Sequence, residues 1–65
     1  RASSAILAHN HPQGLALPSR EDDGMTQKVH SSLRLVGIEL VDHIIVAGND
    51  FVSYSDSGFF NMIRL

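Results

Sequence analysis

Residues 5–22 read Ala5-Ile6-Leu7-Ala8-His9-Asn10-His11-Pro12-Gln13-Gly14-Leu15-Ala16-Leu17-Pro18-Ser19-Arg20-Glu21-Asp22. A short apolar run enclosed by polar residues reads as a buried strand that continues into His9 and His11. Two prolines, a glycine and no clear period make Asn10 to Pro18 a loop, and a loop this long in a compact domain is often functional. Ser19, followed by acids at Glu21 and Asp22, is a helix start, with serine at the N-cap and negative charge in the first turn.

The rest of the chain extends this pattern. Met25, Val29, Leu33 and Val36 recur at spacings of four, four and three, an amphipathic helical stripe. Gly24 costs that helix about 1 kcal/mol, and Gly37 is a natural stop. Ile38 to Ala47 is a strand. Unbroken alternation puts Ile38, Leu40, Asp42, Ile44 and Val46 on one face, and Val41, Ile45 and Ala47 on the other. Gly48-Asn49-Asp50 is a turn into a second strand, Phe51 to Tyr54, expected as its hairpin partner. Ser55 to Gly58 is another turn, and Phe59 to Leu65 fits helix or strand equally. The order is β-loop-α-β-β with a tail, an α/β layout. A strand apolar on both faces belongs in a sheet covered on both sides. A single helix supplies only one cover, so a missing N-terminal half or a partner chain, including a second copy, is expected to supply the other.

Composition narrows the class. The chain has 65 residues with 43% apolar and 18% charged, a globular balance, and no Cys, so neither disulfide nor thiolate site can staple it. The five Lys and Arg residues are scattered and net charge is −2, so direct nucleic-acid contact is not expected. No apolar run approaches the roughly 18 residues of a membrane helix, and no secretory leader is expected. The lack of Cys fits a cytoplasmic protein. Residues 1–65 read as one domain, and a start at Arg1 that enters an apolar run at once suggests a truncated one.

The chemistry lies in His9-x-His11, then seven residues, then Ser19-x2-Asp22. Strand residues i and i+2 point to one face, so two imidazoles aim at one region about 6–7 Å apart at their Cα atoms. The loop returns the chain so that the first helical turn faces that region, and Asp22 offers a carboxylate. Two imidazoles and a carboxylate form the ligand set of a catalytic zinc, with a fourth position left for water. Ser19, three residues before Asp22, places a hydroxyl where it can donate to a developing oxyanion.

This spacing resembles the motif of the JAB/MPN (JAMM) metalloprotease superfamily. The wording His9-Asn10-His11-Pro12-Gln13-Gly14, then Pro18 to Asp22, then Gly37 to Val46, is similar to its bacterial RadC-like branch. The resemblance covers roughly residues 3 to 58. It implies an incomplete cytidine-deaminase-like α/β sandwich, zinc held by His9, His11 and Asp22, and Ser19 as the catalytic, oxyanion-positioning hydroxyl. It implies hydrolysis of peptide or isopeptide bonds, in a branch that carries a DNA-repair label. Two departures stand out. The family's general base, a Glu on an upstream strand, has no counterpart in the eight residues before His9, and Gln13 stands where relatives often carry a small hydroxyl residue. Glu21 and Glu39 do not match the family position.

The same residues also have structural explanations. Ser19 with an acid three residues on is a capping-box pattern, whatever else the pair does. Asp42-His43 reads as a satisfied internal polar pair, or Asp42 as the residue that orients a ligand histidine. His30 reads as solvated, and Phe59 and Phe60 as core or interface. Two further readings stay open. One is a non-catalytic MPN-type interaction or structural module that lacks its base. The other keeps the enzyme but exchanges zinc for Fe(II), which the same donor set also holds.

Overall fold

The structure is a computed structural model that describes residues 3–12 and 14–63. Gln13, Leu65 and Arg64 of the tail lie outside the described residues, as do Arg1 and Ala2. Strand β1 spans Ser3–Asn10, helix α1 Arg20–Leu35, β2 Ile38–Ala47 and β3 Asp50–Ser53. A single helical turn, α2, covers Tyr54–Ser57, and a 3-10 turn covers Phe59–Asn61. The sheet order is β1-β2-β3, with β1 and β2 parallel and β2 and β3 antiparallel. This is the β-loop-α-β-β order with a tail, a small α/β arrangement consistent with part of a JAB/MPN sandwich.

The strand-helix boundaries follow local chemistry. Ser19 is the N-cap of α1 in extended conformation, and Gly37, just past the helix, takes φ of 78°. That left-handed value suits glycine, so the chain turns there into β2 without strain. His11 lies one residue beyond β1, yet its N–H still bonds the Val46 carbonyl at 2.8 Å, so the strand direction carries His9 and His11 together.

Four expectations change in detail. First, β2 is not an unbroken alternation. Its pairing with β1 passes from Ala5–Leu40 to Ile6–Asp42, which leaves Val41 as an extra residue. A bulge of this kind flips the parity of everything after it. Leu40, His43, Ile45 and Ala47 are therefore the buried set. Second, the buried residues of α1 are Asp22 and Thr26, not the Met25–Val36 stripe. Met25 and Val36 are exposed, whereas Val29 and Leu33 are half-buried. The inward stripe runs Asp22, Thr26, Val29, Leu33, so the end of the helix nearest the loop presents polar groups to the sheet. Tyr54 begins α2 rather than ending β3, and His30 is half-buried rather than solvated.

The far face of the sheet is bare among the described residues. Ile6 and Phe51 are 63% and 64% exposed, and Val46, paired with Phe51, is exposed beside them. The buried hydrophobic set is small: Ala16, Leu40, Ile45, Ala47 and Tyr54.

Asp42, displaced by the bulge to the side away from α1, anchors the C-terminal turn. Its carboxylate accepts from the His43 N–H at 2.7 Å, the Ser53 hydroxyl at 2.6 Å and the Ser55 N–H at 3.0 Å. Burial alone would raise this carboxyl, but the Ser53, Ser55 and His43 donors outweigh it and hold it below the ordinary 3.8. A depressed carboxyl stabilises the fold above that ordinary value and loses its contribution as pH falls through the folded one. Asp42→Asn should therefore cost about 1.5–3 kcal/mol near neutral pH, the range for hydrogen bonds to a charged group. The deficit should shrink as pH falls below 3.8 and through the lowered folded-state value, because wild type then becomes protonated too. Urea unfolding at several pH values checks this, and a deficit that does not vary with pH would contradict it.

Candidate metal centre

The loop and the two flanking elements bring His9, His11 and Asp22 to one point, with a donor atom from each within 4.8 Å of the others. His9 Nε2 is 2.9 Å from Asp22 Oδ1, and His11 Nε2 is 2.9 Å from Asp22 Oδ2. The imidazole centroids are 4.9 Å apart. The three residues that the spacing singles out are thus together, and they form the one group of three or more such side chains among the described residues.

Asp22 does two jobs at once. Its Oδ2 accepts from the Ser19 N–H at 2.8 Å, while its own N–H donates to Ser19 Oγ at 3.1 Å, a complete capping box. The capping and ligand readings of Asp22 are therefore compatible. The cap fixes the carboxylate from behind and leaves Oδ1 facing His9. Burial raises this carboxyl, but the Ser19 hydrogen bonds and the two histidines more than offset it, and Asp22 lies below the ordinary 3.8. It is an anion near neutral pH, which is what a metal ligand must be.

The donor set fits a divalent cation. His11 Nδ1 lies 3.0 Å from the Leu15 carbonyl, which can only accept, so that nitrogen carries the proton. Nε2 of neutral His11 is then a bare lone pair that faces a carboxylate, an arrangement only a cation or a proton between them can stabilise. Zinc bonds of 2.0–2.2 Å in tetrahedral geometry separate donor atoms by roughly 3.3 Å. The two observed 2.9 Å spacings, each to a different Asp22 oxygen, are a few tenths of an ångström shorter than that, and all three donors lie within 4.8 Å of one another. Burial is partial: Asp22 is buried and both histidines are half-buried, so the site is open to solvent on one side.

Behind the ligands lies a polar layer that sequence reading missed. His43, fully buried on β2, places Nε2 2.9 Å from His9 Nδ1 and Nδ1 2.6 Å from Thr26 Oγ1. Thr26, also fully buried, donates its hydroxyl to the Asp22 carbonyl at 2.7 Å. The orienting partner of a ligand histidine is thus His43, not Asp42. Tyr54 stacks on His43 with centroids 4.5 Å apart, and its hydroxyl donates to Asp23 Oδ1 at 2.7 Å. Burial, then the Asp23 bond, pushes the Tyr54 phenol well up, so it stays a neutral donor. The sequence signal for His43 was present, a histidine among aliphatics mid-strand, but the bulge that aims it at His9 was invisible. Beside Asp23 an apolar hollow of about 310 Å³ is lined by Leu17, Pro18, Phe59, Met62 and Ile63.

Two histidines at a strand end and a capping aspartate opposite them form a group that could hold a metal ion, as expected of a JAB/MPN-type α/β domain. Comparison with known proteins gives the family. A family model described as RadC-like JAB domain matches residues 1–59, and the chain belongs to that family. It is 52% identical over 58 residues to a UPF0758 protein of Bacillus licheniformis, covering 89% of this chain and 26% of that protein. It is 47% identical over 57 residues to one from Methylibium petroleiphilum (88% and 26%) and 46% over 55 residues to one from Streptococcus gordonii (85% and 24%). The chain spans about a quarter of the length of these bacterial relatives.

The capping geometry makes a prediction independent of any metal. Ser19→Ala should destabilise the metal-free protein by about 1 kcal/mol, and Ser19→Gly by only a few tenths. Chemical denaturation under chelator measures both, and an unchanged midpoint for the alanine variant would refute the cap.

Proposed function

We propose that the chain carries the metal-binding part of a zinc-dependent hydrolase of peptide or isopeptide bonds, with His9, His11 and Asp22 as ligands and Ser19 as the catalytic hydroxyl. The observation that carries this reading is the convergence of two imidazole Nε2 atoms on the Asp22 carboxylate, 2.9 Å each, beside an exposed serine. When bound, zinc supplies Lewis acidity and a water whose pKa falls toward 7. The chain's own residues supply the rest. His9 and His11 give neutral donors and Asp22 an anionic one, so the bound cation keeps net positive charge. Ser19 Oγ accepts the Asp22 N–H, and its proton stays available to donate to the oxygen of a carbonyl under attack. The apolar hollow beside Asp23 is sized for a substrate side chain, which suits a polypeptide substrate.

The attacking water must also give up a proton. Glu39 pairs with Ser4, five residues along β1 from His9 and roughly 17 Å away at strand rise. Among the described residues neither it nor Glu21 joins the ligand group. In the superfamily this proton goes to a Glu on an upstream strand, and general base catalysis contributes about 10²–10⁴-fold. A second reading, a non-catalytic interaction module, is favoured by the bare sheet face at Ile6 and Phe51. Cleavage separates the two. Chelator-sensitive peptide cleavage, by the chain or by a form extended at its N-terminus to the length of its relatives, supports the hydrolase.

Metal analysis should find close to one zinc per chain in wild type and a loss in His9→Ala, His11→Ala and Asp22→Ala. Ser19→Ala should keep its zinc and lose about 10²–10³-fold in kcat. Wild type that holds only trace zinc under saturating conditions would sink the site reading. Zinc loss in Ser19→Ala would reduce that serine to a helix cap.

A further inference from the structure

The proton positions in the layer behind the ligands can be worked out from hydrogen-bond chemistry. The Thr26 hydroxyl has one hydrogen, and the Asp22 carbonyl 2.7 Å away can only accept it. The 2.6 Å contact from Thr26 Oγ1 to His43 Nδ1 must then be filled by a proton on the imidazole. His43 is fully buried, stacked on Tyr54, and touches no carboxylate through its ring nitrogens. A fully buried imidazole whose ring nitrogens meet no carboxylate is neutral. With its one proton on Nδ1, His43 Nε2 is an acceptor. The 2.9 Å contact to His9 therefore takes a proton from His9 Nδ1. That leaves His9 Nε2, which faces Asp22 Oδ1 at 2.9 Å, as the bare nitrogen.

We propose that Thr26 and His43 are positioning residues that set the tautomer of His9, with the Asp22 main-chain carbonyl as the fixed end of the chain of donors. The direction of every bond follows from that carbonyl: His9 donates to His43, His43 to Thr26, and Thr26 to Asp22. Asp22 closes the circuit, because its carboxylate meets the nitrogen that its carbonyl has, three bonds earlier, kept free of a proton. His11 is set separately and more simply, by Leu15. Without the Thr26 hydroxyl, His43 Nδ1 has no acceptor in a buried site, which favours moving its proton to Nε2. His43 then donates to His9 Nδ1, the His9 proton is driven to Nε2, and the metal-binding position is blocked.

This rests on the metal-site reading above, and the test keeps the two separable. Thr26→Val matches threonine in shape and removes the hydroxyl, whereas Thr26→Ser restores it. Zinc affinity, measured by competition with a chromophoric chelator, should fall about 10–100-fold in Thr26→Val and stay within about threefold of wild type in Thr26→Ser. Nitrogen-15 spectra of the imidazoles in metal-free wild type at pH 8 give a second readout that needs neither zinc nor a variant. They should show His9 protonated on Nδ1 and His43 on Nδ1. A folded Thr26→Val with wild-type zinc affinity, or a wild-type His9 with no proton on Nδ1, would overturn the proposal. Absence of zinc binding in wild type would instead defeat the metal-site reading, and the nitrogen spectra would still decide the tautomers.

Discussion

Among the described residues, four polar side chains, Asp22, Thr26, His43 and Ser53, lie buried beside a buried hydrophobic set of only five residues. Each must find partners inside, because an unpaired buried polar group costs about 1–3 kcal/mol. All do: among the described residues no buried side-chain nitrogen or oxygen lacks a hydrogen bond. The partners are largely one another or their neighbours. Thr26 joins α1 to His43 on β2, and Ser53 joins β3 to Asp42 on β2. The elements of this fold are therefore registered as much by a polar layer as by apolar packing, and the candidate site is the solvent-facing edge of that layer.

The bulge at Val41 makes this layer possible. Without it, Ala5 opposite Leu40 would continue to Ile6 opposite Val41, and every later residue of β2 would change faces. Asp42 would lie under α1 with no serines to satisfy it, and His43 would point to the bare face, away from His9. One extra residue sends the aspartate to the C-terminal turn and the histidine to the ligands. Asp42 then holds α2 through Ser53 and Ser55, and α2 holds Tyr54 flat against His43. The two halves of an adjacent pair thus support one site from opposite sides of the sheet.

This accounts for what sequence alone made legible. The convergence of His9, His11 and Asp22 was readable because each signal is local. Two histidines two apart share a strand face by geometry, and Ser19 with Asp22 is a three-residue capping pattern. The helix limits at Ser19 and Gly37 were readable for the same reason. What was missed is non-local. A strand apolar on both faces has no polar phase, so no alternation marks where Val41 interrupts it. The role of Thr26 depends on a strand 17 residues further along the chain, and nothing in Thr26-Gln27-Lys28 announces it. The Met25 stripe misled because hydrophobic period presumes an apolar inner face, whereas here the helix start buries a carboxylate and a hydroxyl instead.

Asp22 ties folding and chemistry together. The same carboxylate caps α1, draws both imidazoles into place and would bind the cation. With no metal, two histidines can compensate that charge only when protonated, and protonation is what a metal would displace. A cation at this point would bind to a site where the fold already brings a donor atom of each of the three residues within 4.8 Å of the others. Its binding free energy would then add to the stability of α1 and the loop, not only to reactivity. In a chain with no Cys and, among the described residues, so few buried apolar side chains, that coupling would give a bound metal a structural role even where catalysis is absent. Retention of the ligands is thus weak grounds for activity by itself. The exposed Ser19 hydroxyl, whose proton the cap does not consume, is the feature that favours chemistry, because a purely structural cap is served as well by an aspartate, which has no proton to give.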